Sequence, residues 1–208
     1  MDLKKFRKKP VLGILRGIAP AALEPVFETV IASGLEAIEI TMNTQGASGL
    51  IQSAVRRYGK QLMIGAGTVL NMTDLKAALK AGASFIVSPA LVKPVVRYCV
   101  KHKIPVFPGA LTPSEVYVAW RAGATMVKVF PASCFGPDHF KELKGPFPQI
   151  ELLACGGVTP ANLQTYFRNG ASAIAVGGSV FRKDWIAAKK YPLIGRKIRA
   201  HLKALSKR

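Results

Sequence analysis

The sequence predicts a one-domain α/β protein, a (β/α)8 barrel, on three observations. Eight short apolar runs recur along its 208 residues. Segments with helical periodicity lie between them. Polar residues and glycines gather at the C-terminal end of nearly every run. Strand–helix alternation implies a parallel sheet, and eight such units in about 200 residues is the lower size limit of a TIM barrel. The structural rival is a doubly wound sheet, which expects a Gly-x-Gly-x-x-Gly fingerprint after the first strand. None follows here. The barrel domain is expected to span residues 1–208, with a basic extension at each terminus.

The first strand, residues 11–16, ends on Arg16-Gly17. A helix over residues 21–32 closes on Ser33-Gly34. The second strand, residues 35–41, puts Glu39 and Thr41 on one face and Ile38 and Ile40 on the other, because strand side chains alternate. The third, residues 62–66, runs into Gly65-Ala66-Gly67-Thr68. Thr73-Asp74 supplies cap chemistry for a helix over residues 73–81. Strands four and five, residues 85–88 and 104–107, are followed by Pro89 and by Pro108-Gly109. Thr112-Pro113-Ser114-Glu115 opens a helix over residues 113–122. The sixth strand, residues 125–130, carries Lys128 with Met126 and Phe130 on its face. The seventh, residues 150–155, ends on Cys155-Gly156-Gly157, and Thr159-Pro160 opens a helix over residues 160–169. The eighth, residues 173–176, ends on Gly177-Gly178-Ser179. Residues beyond Phe181 form a closing helix and a basic tail. Ala-Gly-Ala at residues 81–83 and 122–124 is one helix-to-strand joint used twice.

Half of the residues are hydrophobic and 20% are charged, the balance of a globular protein. No apolar run reaches the roughly 18 residues of a membrane span. The basic N-terminus lacks the apolar core and small-residue cleavage site of a secretion leader, so a cytoplasmic protein is expected. Three cysteines and three histidines are scattered, which argues against a disulfide framework or a metal site. Cys99 falls on a helix as a core residue, and Cys134 in the loop after strand six. The net charge is +19, much of it terminal, including Lys207 and Arg208. Such charge suits nucleic acid, steering of a small anion, or solubility. No aromatic-interleaved basic motif supports nucleic acid as the partner.

Lys128 and Glu39 carry the chemical argument. A lysine on an apolar strand must reach solvent, pair with an acid, or sit buried as an amine nucleophile. An inward carboxylate is equally uncommon without a partner or a function. Two readings of Glu39 stay open: an acid/base beside the Lys128 amine, or a structural ion pair with Lys128 or Arg16. Together the two residues suggest a class I aldolase. There a lysine forms an iminium on a ketone, and a carboxylate moves protons. This chemistry needs no metal and no cofactor, and none is expected. The turns at Gly157, Gly178 and Ser179 follow strands seven and eight, where TIM barrels often bind phosphate. They would otherwise be only tight turns. Arg16 suits a substrate carboxylate, or a salt bridge to Glu39. Thr68 suits the same carboxylate or the keto oxygen, or caps a turn. Pro89 shapes a loop against the substrate. Cys155 touches it as a small side chain, without acting as a nucleophile.

These motifs, in this order and spacing, resemble those of the KDPG and KHG aldolases. They are Ile14-Leu15-Arg16-Gly17-Ile18, Glu39-Ile40-Thr41-Met42-Asn43, Gly65-Ala66-Gly67-Thr68-Val69-Leu70, Lys128-Val129-Phe130-Pro131-Ala132, Gly156-Gly157-Val158-Thr159-Pro160 and Gly177-Gly178-Ser179. The resemblance covers residues 11–181 and is nearer to the branch acting on 2-keto-3-deoxy-6-phosphogalactonate. It implies a (β/α)8 barrel, a homotrimer, and Schiff-base cleavage of a 2-keto-3-deoxy-6-phospho sugar acid. The implied products are pyruvate and D-glyceraldehyde 3-phosphate. It also implies Lys128 as the Schiff-base lysine and Glu39 as the acid/base. Arg16 and Thr68 then contact the carboxylate, and Gly157, Gly178 and Ser179 the phosphate.

The chain departs from the phosphogluconate pattern at two positions. Asn43 stands where that pattern has arginine, and Cys155 where it has threonine. Both departures, with Phe130-Pro131-Ala132-Ser133-Cys134-Phe135-Gly136-Pro137, match the phosphogalactonate branch better. The missing arginine weighs against hydroxyoxoglutarate, whose cleavage is the alternative activity. A thiamine-phosphate-synthase-like barrel would need acidic metal ligands at the strand ends, where only Glu39 qualifies. A basic nucleic-acid-binding protein is the alternative outside enzymes.

Overall fold

The computed structural model describes residues 1–206; Lys207 and Arg208 of the basic tail lie outside the described residues. Apolar alternation produces nine parallel strand segments: β1 (Val11–Leu15), β2 (Ala37–Thr41), β3 (Met63–Gly67), β4 (Ile86–Val87), β5 (Val106–Phe107), β6 (Gly109–Ala110), β7 (Val127–Val129), β8 (Leu152–Cys155) and β9 (Ala171–Val176). They form one sheet in the order β5-β4-β3-β2-β1-β9-β8-β7-β6. Its two ends, β5 and β6, are the same stretch of chain interrupted at Pro108. Proline has no N–H to give a ladder. Its carbonyl still accepts from Lys128 N at 2.9 Å. Upstream of it Val106 pairs with Ile86, and downstream Gly109 pairs with Lys128. The sheet thus closes on itself at eight strand positions, the fifth being split.

Several ladders are shorter than the apolar runs that specify them. At the rim, residues just past a strand still donate to the neighbouring strand. Examples are Ser88 N to Phe107 O at 3.2 Å and Phe130 N to Ala110 O at 3.0 Å.

Nine helices surround the barrel among the described residues: α2 (Pro20–Ala32), α3 (Ala47–Tyr58), α4 (Met72–Lys80), α5 (Lys93–Lys101), α6 (Pro113–Arg121), α7 (Asp138–Lys144), α8 (Leu163–Arg168), α9 (Lys183–Ala187) and α10 (Tyr191–Leu205). The cap predicted at Thr112-Pro113-Ser114-Glu115 is present, as a capping box between Thr112 and Glu115. Elsewhere the caps differ. Asn71, rather than Thr73, accepts from Asp74 N and opens α4. The chain after Thr159-Pro160 makes a turn first, and α8 starts only at Leu163. The closing helix is two helices, because Pro192 fits only the first turn of a new one. Gly82 and Gly123, in the repeated joint, have φ of +92° and +96°, where a side chain would be strained. None of the helices is long and apolar enough to cross a membrane.

The basic N-terminal stretch is more than an extension. Asp2 caps a tenth helix, α1 (Leu3–Lys8), by accepting from Lys5 N. This helix drives Phe6 into the barrel. Phe6 is 1% exposed and meets Phe107 at 6.3 Å between ring centroids, while Phe107 meets Phe85 at 5.9 Å. With Leu12, Ala37, Met126 and Leu153 these rings fill the N-terminal end of the barrel. The outward-facing strand residues, such as Ile38, Ile40, Val127 and Val129, pack against the helices.

Candidate active site

At the C-terminal end of the same interior the filling changes from aromatic rings to charged groups. Lys128, on β7, is 5% exposed, and Glu39, on β2, is 1% exposed. Lys128 Nζ lies 5.2 Å from the centroid of the Phe130 ring on its own face. Among the described residues Glu39 makes no ion pair within 4.0 Å. Its Oε2 is buried without a hydrogen-bond partner. The structural ion pair is therefore not what holds Glu39 in place. Burial pushes its carboxyl above the ordinary 4.5, and the nearby charges of Lys128 and Arg16 oppose this only in part.

Two glycines clear the space. On β3, Gly65 stands beside Glu39 and Gly67 beside Thr41 in the ladder. A Cβ on Gly65 would overlap the Phe85 ring, and one on Gly67 would overlap the Glu39 carboxylate. The motif Gly65-Ala66-Gly67 is thus a matter of room inside the barrel. Sequence alone places it only at a strand end, because the atoms it avoids are remote in the chain.

Arg16 leaves β1 at the rim, and its Nη2 donates to Thr68 Oγ1 at 3.4 Å. Thr68 has φ of +54°, an uncommon conformation for threonine. The Arg16-Gly17 turn hangs on a buried pair of threonines. Gly17 N donates to Thr44 Oγ1 at 2.9 Å, and Thr44 Oγ1 lies 3.1 Å from Thr41 Oγ1. Thr44 had no sequence signal of its own.

The glycine turns after β8 and β9 wall a cavity of about 540 Å³. Arg16, Cys155, Gly157, Gly178 and Ser179 all line it, so five of the ten predicted site residues share one wall. Asn162 braces the first turn, donating from Nδ2 to Gly157 O at 2.9 Å and accepting from Thr159 N at 2.8 Å. Cys155 connects this wall to Lys128. Burial holds its thiol above the ordinary value, and the Lys128 side chain pulls it partly back. Asn43 is exposed in the turn after β2 and, like Pro89, Thr68, Glu39 and Lys128, does not line this cavity. Pro89 instead lays its carbonyl over Gly109, where a Cβ would overlap it. Phe130 and Lys183 also line the cavity. Neither belongs to a glycine motif, and neither was singled out as a contact in the sequence.

The set has the parts for imine chemistry on a keto acid. It offers a primary amine, an unbridged carboxyl able to hold or release a proton, and turns that present backbone N–H groups to an anion.

Comparison with known proteins points to aldolases. A family model described as KDPG and KHG aldolase matches residues 3–197. The chain is 38% identical over 176 residues to the 2-dehydro-3-deoxy-6-phosphogalactonate aldolase of Escherichia coli, covering 84% of this chain and 86% of the relative. It is 37% identical over 198 residues to a 2-dehydro-3-deoxy-phosphogluconate aldolase of Pseudomonas aeruginosa, covering 90% and 86%. A solved structure described as native KDPGal superimposes with a TM-score of 0.89 at 34% identity, covering 95% of each chain.

Proposed function

The chain belongs to the family of KDPG and KHG aldolases, and from that premise we propose how it works and on what. It is an aldolase, a carbon–carbon lyase, acting on 2-dehydro-3-deoxy-6-phospho-aldonates. The observation that carries the mechanism is the buried Lys128 amine, next to Cys155 of the cavity wall and near an unbridged Glu39.

Lys128 Nζ attacks the C2 ketone, and loss of water leaves an iminium. Glu39, directly or through a water, takes the proton of the C4 hydroxyl. The C3–C4 bond breaks, its electron pair passes into the iminium, and D-glyceraldehyde 3-phosphate leaves. The remaining enamine is protonated at C3, and water releases pyruvate from Lys128. Arg16 and Thr68 hold the C1 carboxylate, with Pro89 shaping the loop beside them. Gly157, Gly178 and Ser179 hold the phosphoryl group with backbone N–H groups. Burial keeps Glu39 above the ordinary carboxylate range, so one group can both accept and return a proton.

The two candidate substrates differ at C4. We place the phosphogalactonate first, because Asn43 and Cys155 both depart from the phosphogluconate pattern. Of the two, Cys155 lines the cavity and carries more of this preference. A side-by-side cleavage assay of the C4 epimers tests it. Higher kcat/KM for the phosphogalactonate is expected, and a clear preference for the phosphogluconate contradicts it. The wider reading adds a homotrimer, checked by light scattering, and a cytoplasmic location. Neither hydroxyoxoglutarate cleavage nor nucleic-acid binding is favoured by these relatives.

A further inference from the structure

One cation at the cavity has no part in the cleavage described above. Lys183 opens α9, four residues beyond Ser179, and lines the cavity. A Cβ built on Gly17 would sit 3.5 Å from both Cε and Nζ of Lys183. The lysine therefore lies along the bare Arg16-Gly17 turn, within van der Waals reach of it. Its neighbour Arg182 is engaged elsewhere, bridged to Asp184 at 2.8 Å and lying 5.1 Å from the centroid of the Trp185 ring. Among the described residues no carboxylate comes within 4.0 Å of Lys183.

Two cations, Arg16 and Lys183, line the cavity. Arg16 reaches towards Thr68 beside the Glu39 end. Lys183, which makes no such contact, follows the Gly177-Gly178-Ser179 turn in the chain and lines the same cavity. A substrate of the proposed class has two anionic ends, a carboxylate and a phosphoryl group. Backbone N–H groups at the glycine turns donate hydrogen bonds but bring no full charge to a phosphoryl dianion. An ammonium on a flexible stem supplies that charge as a point.

We propose that Lys183 is the counter-cation of the substrate's phosphoryl group and sets the preference for phosphorylated over unphosphorylated 2-keto-3-deoxy acids. This rests on the reading that the glycine turns hold phosphate. It assigns a specificity role to a residue outside the family motifs quoted above.

The test compares kcat/KM for a 6-phosphorylated 2-keto-3-deoxy-aldonate and its unphosphorylated counterpart. Lys183→Met is expected to lower the ratio of the two by about tenfold or more, through KM for the phosphorylated substrate. Lys183→Arg should restore most of the ratio. Lys76→Met, which removes an exposed charge on α4, should leave it unchanged. Added salt should raise KM for the phosphorylated substrate more steeply in the wild type than in Lys183→Met, because an exposed charge is screened. An unchanged ratio in Lys183→Met overturns the proposal, as does an equal loss on both substrates. Absence of any cleavage of phosphorylated keto acids by the wild type overturns the functional reading and this one with it. Cleavage with an indifferent Lys183 overturns this one alone.

Discussion

The two ends of the barrel interior are built to opposite rules. The N-terminal end is dry and full: Phe6, Phe85 and Phe107 pack ring on ring. None of the three rings has a polar atom to satisfy. The C-terminal end holds Glu39 and Lys128, both buried, with one carboxylate oxygen unpartnered. Glycines at 65 and 67 keep room for Phe85 below and Glu39 above. One end contributes stability through packed apolar area. The other gives some of it up, since a buried ionisable group is unfavourable until a substrate occupies the site. Changes at the two ends should therefore separate activity from stability.

Lys128→Ala should sharpen the contrast most. Turnover should fall by about 10⁴-fold or more, since the proposed nucleophile is gone. The thermal midpoint should stay level or rise, because a buried amine is removed. A large loss of stability would break the comparison. Glu39→Gln should slow cleavage by about 10²–10⁴-fold while pyruvate still forms an imine, as single-turnover measurements can resolve. Phe6→Ala should do the reverse, costing about 3–5 kcal/mol of stability by denaturant unfolding with kcat little changed where the protein remains folded. Gly67→Ala pushes on the Glu39 carboxylate and should cost about 10²-fold in kcat, less than removing the carboxyl outright.

The smallest effect concerns pH. Burial raises the Glu39 carboxyl above its ordinary 4.5. Between 4.5 and the raised value the folded state keeps a proton that the unfolded state has lost. The stability from this group is therefore fully present below about 4.5 and declines as pH rises through the raised value. Proton abstraction in the cleavage direction runs the other way and strengthens with pH over the same window. Comparing unfolding curves of wild type and Glu39→Gln across this range should show a shallower slope in the variant. Identical slopes contradict the raised value.

Much of this was legible in the sequence because it depends on local period. Alternation alone turns Glu39 and Lys128 inward, and the glycine turns after strands seven and eight stand where a barrel collects anions. What was not legible depends on distant atoms. The reason for Gly65 and Gly67 lies in Phe85 and in a carboxylate on another strand. The basic run at residues 4–9 hid Phe6 as one apolar residue among charges, and only the closed barrel gives that ring a place. The split of strand five follows from Pro108 lacking an N–H at the point where the sheet closes. Lys183 carries no motif and reaches the cavity only because α9 folds back over Gly17.

Borohydride reduction in the presence of pyruvate, followed by peptide mass mapping, tests the central assignment most directly. A pyruvate-derived adduct on the peptide carrying Lys128, absent without borohydride, is the expected result. An adduct on another lysine, or none with an active enzyme, contradicts it.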